Sequence, residues 1–184
     1  MSTGYSENSS LRRVQVIADY QFGELVGTGL FPEGCEFILS TTGRIRQILY
    51  GGVRLATLRA SDGRLTLGIE GARRLHSLLP APGYRVTIRD DVAEFVAEGK
   101  NAFARHVVSA DPEIRAGDEV LVVAGDDRLI ACGRTQVSGT EMLAFNYGVA
   151  VKVRQGNVRH ASGKYQPAPD EGNDEEARHA GRAD

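Results

Sequence analysis

Apolar positions in this chain fall into short runs with a period of two, broken at close intervals by glycine-bearing turns, and the rhythm is densest over residues 101–154. Residues 119–124 (EVLVVA) form one apolar run, Gly125-Asp126-Asp127-Arg128 has turn chemistry, and residues 129–137 form a second extended run, which together predict a hairpin. Residues 111–118 are a polar turn leading into it. In residues 148–154 three valines alternate with Ala150, Lys152 and Arg154, which predicts a strand with one buried face and two cations turned to solvent on the other. Between these strands, Ser138-Gly139-Thr140-Glu141 ahead of Met142 predicts a helix start capped by Ser138 or Thr140.

The earlier part of the chain alternates differently. Residues 11–20 (LRRVQVIADY) are an apolar run whose period leaves strand and helix both open. Residues 36–40, 45–50 and 53–58 read as three strands, the last two joined by Gly51-Gly52, a two-residue hairpin signal. A turn at Ser61-Asp62-Gly63 leads to residues 65–67, and residues 69–79 carry apolar side chains at 69, 72, 75, 78 and 79, a helical stripe. Pro80-Ala81-Pro82-Gly83 ends that helix and marks a domain boundary. Residues 84–88 then predict a strand, Asp90 or Asp91 the cap of a short helix over 92–97, and Gly99 its stop. The division expected is a disordered N-terminus over 1–10, an α+β domain over 11–82, a second domain over 83–155, and a polar, Pro/Gly-rich disordered tail over 156–184.

Composition narrows the class. With 184 residues and 41% hydrophobic content, the chain holds one or two small domains with compact cores. No apolar run reaches membrane-spanning length and residues 1–10 lack a signal-peptide core, so a cytoplasmic location is expected. Cys35 and Cys132 are too few for a disulfide scaffold and read as buried small hydrophobes. A net charge of −2 excludes a basic nucleic-acid-coating protein, yet the balance is +2 over residues 1–82 and −2 over 83–155. Arg supplies 19 of the 22 cations; its planar fork suits phosphate, although a GC-rich genome explains the bias more simply.

The strings DPEIRxGDEVLVV, DDxLIAxGR and SGxEMLAFNxGVAVKVR resemble a PUA domain, the RNA-binding module of pseudouridine synthases and archaeosine transglycosylases. TGRIRQI, ATLRASDG, TLGIEGARRL and IADYQFG resemble the domain that directly precedes it in archaeal archaeosine tRNA-guanine transglycosylases, so the resemblance covers roughly residues 13–154. It implies an α+β protein, a small α/β N-terminal domain followed by a PUA β pseudo-barrel. The catalytic barrel of those enzymes, with its aspartate nucleophile and zinc site, has no counterpart in the sequence, so no activity and no cofactor are carried over. In PUA domains RNA is gripped around the first helix, the glycine loop after it and the neighbouring strand, which implicates Gly99, Lys100, Asn101, Phe103 and Arg105.

Lys100, Arg105, Lys152 and Arg154 are the expected phosphate contacts, the first two from the resemblance and the last two from strand alternation; a solvated face paired with Asp and Glu is the alternative. Arg12, Arg13, Arg44, Arg46, Arg73 and Arg74 extend a possible basic surface, although adjacent Arg residues point apart. Phe103 is expected to pack inward, with stacking on an unpaired base as its other role. Asp90-Asp91 and Asp126-Asp127 sit where cap and turn chemistry already explain them, the histidines lack catalytic partners, and Gly27-Thr28-Gly29 is too short to define a phosphate loop. The function expected is a non-catalytic RNA-binding protein that docks tRNA or another structured RNA for a modification enzyme. A non-catalytic subunit of an archaeosine-pathway complex, and a protein-interaction module without RNA affinity, are the alternatives.

Overall fold

The computed structural model describes residues 7–157. The first helix, α1 (Glu7–Phe22), buries Ser10, Val14, Ala18 and Phe22, one residue every four, on a single face. That stripe settles residues 11–20 as helix. It also overturns the disorder expected up to Ser10: residues 7–10 are helical, and polar Ser10 had hidden the first member of the buried row. A turn leads to the short α2 (Val26–Leu30), in which Gly27 donates its N–H to Asp19 Oδ1 at 2.6 Å. A Cβ at Gly27 would collide with the Gln15 carbonyl of α1 and one at Gly29 with the Leu78 side chain, so both glycines serve close packing. Strands β1 (Cys35–Leu39), β2 (Ile45–Tyr50), β3 (Val53–Leu58) and β4 (Leu65–Leu67) form an antiparallel sheet in chain order. The next helix, α3 (Ile69–Leu78), buries Ala72 and Leu75 over it.

The second module contains β5 (Arg85–Ile88), a 3-10 turn, α4 (Ala93–Ala97), β6 (Ala102–Phe103), a second 3-10 turn and β7 (Val107–Ala110). It continues through β8 (Glu119–Val123), β9 (Leu129–Thr135), α5 (Gly139–Ala144) and β10 (Val149–Gly156). The strand order is β6-β10-β9-β8-β5-β7, antiparallel except for the β5–β8 pair, and the sheet curls into a pseudo-barrel. Ser138 caps α5 through a full capping box with Glu141, whose carboxyl is held below its usual range by the backbone and hydroxyl of Ser138. The caps expected from Asp90 and Asp91 are not made. Asp90 instead accepts from Gly125 N at 3.1 Å, and Asp91 pairs with Arg89 at 2.6 Å. Asn157 donates its backbone N–H to Ile130 and its side chain to Leu129, so the ordered chain runs past the expected start of the tail at 156; the rest of that tail, 158–184, lies outside the described residues.

Every residue of β8 is buried, because the strand has a core on each side. Leu121 and Val123, with Leu129 and Cys132 of β9, belong to the core of the first module, whereas Val120 and Val122 join Ile130, Met142 and Val151 inside the barrel. The uninterrupted apolar string EVLVVA is the signature of that double burial.

The modules are latched by Arg85, whose side chain is only 6% exposed. Its guanidinium donates to the carbonyls of His76, Leu79, Pro80 and Gly83 at 3.0–3.2 Å and to Asp127 Oδ1 at 2.8 Å. It thereby satisfies the last carbonyls of α3 and ties them to the β8–β9 turn. His76 Nε2 lies 3.2 Å from Asp127 Oδ2, off the direction of a good hydrogen bond. Partial burial raises the Asp127 carboxyl, but the hydrogen bond and charge of Arg85, with His76 beside it, outweigh this and hold it below its usual value of 3.8. Arg85→Ala should therefore lower stability by about 3 kcal/mol in urea unfolding, since it orphans several acceptors at once. Asp127 has a depressed folded-state pKa, so its contribution is present above pH 3.8 and is lost as pH falls through the folded value; Asp127→Asn should flatten the acid limb of a thermal-stability profile there.

Candidate nucleic-acid interface

The loop after α4 is closed by Gly99 N donating to Val96 at 2.9 Å and Lys100 N to Phe95 at 3.1 Å. Gly99 adopts φ +96°, a conformation only glycine takes without strain, and the space beside its Cα is open. Lys100 follows, exposed. Asn101 is half-buried and its Oδ1 accepts from Val153 N at 3.0 Å, so it fastens the loop to β10 and does not face a ligand with its carbonyl. Along β6 and the following turn, Ala102 and Ala104 point inward while Phe103 and Arg105 point out. Phe103 is 40% exposed, which corrects its expected inward packing: the small alanines on either side take the core positions. Arg105 lies over the Phe103 ring at 5.8 Å and donates from Nε to His106 Nε2 at 3.1 Å, and the His106 ring meets Phe103 edge-on at 6.5 Å.

On β10 the expected alternation fails at Ala150 and holds over Val151–Arg154. The register with β6 shifts between Val149 and Val151, and that with β9 between Val153 and Gln155. Ala150, assigned to the solvent face, is fully buried in the barrel core. Lys152 is exposed and stands opposite Arg134 of β9. Arg154 is exposed too, but its Nη1 lies 2.6 Å from Oε1 of the buried Glu119, which also accepts from Leu67 N at 2.9 Å. Nearby, Gln155 Oε1 accepts from Ile69 N at 3.0 Å. Arg154 is therefore exposed, as the alternation expects, and is paired within its own module to Glu119, whose carboxylate reaches across to Leu67 of the first module. Burial pushes the Glu119 carboxyl up against the opposing pull of Arg154, and burial beside Glu119 pushes the Cys132 thiol up to about 12.

The structure brings Gly99, Lys100, Asn101, Phe103 and Arg105 onto one strip beside Lys152, and leaves Arg154 exposed but paired with Glu119. Sequence reasoning missed Glu119 and Arg85, both charged residues at the head of apolar strands; a charge opening such a run was the available signal. Of the further cations, Arg73 pairs with Glu70 and donates to Asn157 Oδ1 at 2.8 Å, and Arg74 covers the Tyr50 ring at 4.7 Å, whereas Arg12, Arg13, Arg44 and Arg46 are exposed. Asp126 accepts from Arg128 N at 3.1 Å within the turn and Asp127 belongs to the latch, so that pair is spoken for. Among the described residues no cluster of His, Cys, Asp and Glu could hold a metal ion, and no helix is long and apolar enough to cross a membrane. Both cysteines are free and buried.

A pseudo-barrel of this strand order, latched behind a small α+β unit, defines a two-module PUA protein. Residues 84–156 match the PUA domain, and residues 12–82 match the patch-forming domain C2 of tRNA-guanine transglycosylase; the chain belongs to the PUA-domain proteins that carry this C2 module. It is 50% identical over 151 residues to the tRNA-guanine(15) transglycosylase of Pyrococcus abyssi, covering 82% of this chain and 26% of that enzyme. The enzyme of Methanothermobacter thermautotrophicus is 44% identical over 147 residues, 79% of this chain and 22% of its own length. The chain thus spans about a quarter of the curated relatives it matches. Among solved structures, a hypothetical protein of Pyrococcus horikoshii shares the fold at TM-score 0.64 and 21% identity, covering 82% of this chain and 92% of that one. A conserved PUA domain protein of Thermoplasma acidophilum does so at TM-score 0.57 and 20% identity, over 82% and 90%.

The Glu119 seam yields a contrast in stability. Glu119→Gln keeps an acceptor for Leu67 N and removes a buried charge, and the partly exposed Arg154 can turn to water, so stability at neutral pH should change by less than about 1 kcal/mol. Glu119→Ala orphans the Leu67 N–H and should cost about 1–3 kcal/mol. Thermal and urea unfolding of the two variants distinguish them; equal losses would show that the ion pair, and not the backbone acceptor, holds the seam.

Proposed function

We propose that this protein is a non-catalytic, cytoplasmic RNA-binding protein that docks tRNA, or another structured RNA, for a modification reaction whose chemistry is performed outside residues 7–157. The observation that carries this reading is the 50% identity, across both modules together, to an enzyme named for its action on guanine 15 of tRNA. Resemblance over the paired modules favours a retained docking task, because an isolated PUA likeness would speak only for a fold.

The surface fits that task in a restricted way. Lys100, Arg105 and Lys152 offer cations on the strip built by Gly99 and β6, and phosphate neutralisation there would position RNA without reading its sequence. Gly99 lets a backbone approach closely, Asn101 keeps the loop seated on β10, and Phe103 offers a ring face. The second module is net −2, so contact must be local, with Arg12, Arg13, Arg44 and Arg46 of the first module supplying further charge. A partner enzyme is the second half of the reading, because the relatives carry these modules within chains about four times as long as the matched stretch.

Filter binding with total tRNA tests the proposal. Binding at low micromolar protein is expected, with a negative log–log salt slope of about 2–3 for three phosphate contacts. Lys100→Glu and Lys152→Glu should each weaken binding across RNA sequences and reduce the slope by about 1. Absence of salt-sensitive binding at that concentration would sink the reading and favour a protein-interaction role.

A further inference from the structure

We propose that Phe145 and Tyr147, with Phe103 beside them, form a platform on which unpaired RNA bases stack. The inference rests on the RNA-binding reading above and specifies the form of RNA recognised: a strand end, bulge or loop in preference to a closed duplex.

Every residue over 143–148 is exposed, and in this stretch Leu143, Phe145 and Tyr147 alternate with Ala144, Asn146 and Gly148. Three large apolar groups thus stand in water within six residues, Tyr147 at 82% exposure. Clustered exposure of this kind marks an interaction site more often than scattered apolar residues do. The Phe145 and Tyr147 rings are already stacked, with centroids 6.4 Å apart and planes 24° from parallel.

Both ends of the stretch are anchored. On one side Phe145 N donates to Glu141 O at 3.1 Å, at the end of the α5 helix that the Ser138 capping box starts. On the other, Gly148 O accepts from Ala104 N at 3.0 Å and Val149 stands opposite Phe103. Those two pairings bring the stretch alongside Phe103 and Arg105, so the aromatic surface adjoins the cationic strip. A stacked base exposes its phosphate at the platform's edge, and the Arg105 guanidinium, 5.8 Å from the Phe103 ring, supplies a cation there. Aromatic faces flanked by Arg favour a nucleic acid over a purely apolar protein partner, for which aliphatic groups without a neighbouring charge would serve better. In a duplex the base faces are hidden, so the platform can engage only nucleotides left unpaired.

The test uses the full chain and two RNAs: a blunt hairpin, and the same hairpin with a short unpaired 3′ extension carrying 2-aminopurine. The extended RNA is expected to bind more tightly and its 2-aminopurine emission to change on binding. Phe145→Ala and Tyr147→Ala should each weaken binding of the extended RNA about 5- to 100-fold and remove the emission change, leaving the blunt hairpin unaffected. Tyr147→Phe should behave as the parent, and thermal unfolding checks that the variants fold. If the parent binds both RNAs equally, or Tyr147→Ala changes neither affinity while Lys100→Glu weakens both, the platform is refuted and the docking function stands. If the parent binds neither RNA, both fall. Variants that abolish self-association in sedimentation but keep RNA affinity would identify a protein interface and overturn the platform.

Discussion

The guanidinium of Arg85 is buried where α3, the turn after it and the β8–β9 turn converge, and the second module is aimed by that junction. A helix end leaves carbonyls without partners, and here four acceptors from α3 and the turn are gathered by one side chain whose remaining donor holds Asp127. A planar, permanently charged fork can serve this many acceptors, whereas an ammonium presents three donors from one point. The Glu119–Arg154 pair repeats the logic at the other end of the contact, with a backbone N–H of β4 as the third member. Polar groups at both ends therefore set the angle of the modules, while the apolar face of β8 and β9 supplies the bulk of the burial.

This arrangement explains how an overall acidic protein can present a cationic strip. Arg85 is spent on the seam and Arg154 pairs with Glu119, and acids such as Glu119, Asp127 and Asp90 are occupied by internal donors. What reaches solvent around the Gly99 loop is a short run of Lys100, Phe103 and Arg105, with Lys152 on the adjoining strand. Net charge, a sum over all of these, says little about that local surface.

Much of the fold was legible because periodicity survives where one face is buried. The hairpin over β8 and β9, the strands β2 and β3 with Gly51-Gly52, the stripe of α3 and the Ser138 cap all follow from local rules. The errors have common causes. Ser10 is a polar member of a buried row, so the start of α1 was invisible. On β10 the register shift between Val149 and Val151 turned Ala150 inward, where a strict period of two fails, while Lys152 and Arg154 kept the expected outer face. Phe103 was misread because it is surrounded in sequence by small residues, and burial among Ala, Phe and Ala is decided by which side the barrel lies on. Glu119 was missed because its backbone partner Leu67 lies 52 residues away in the other module, and Arg85 because its fork joins the end of α3 to Asp127, 42 residues further on.

The double burial of β8 bears on how such modules travel between proteins. Leu121, Val123, Leu129 and Cys132 complete a core whose other buried members come from the first 75 residues of the chain. A gene rearrangement that kept only the N-terminal module would leave that core open on one side, and one that kept only the barrel would expose two strands of apolar side chains. In this chain, then, each module is the other's solvent shield along β8 and β9, and a cut between them exposes apolar surface on both pieces.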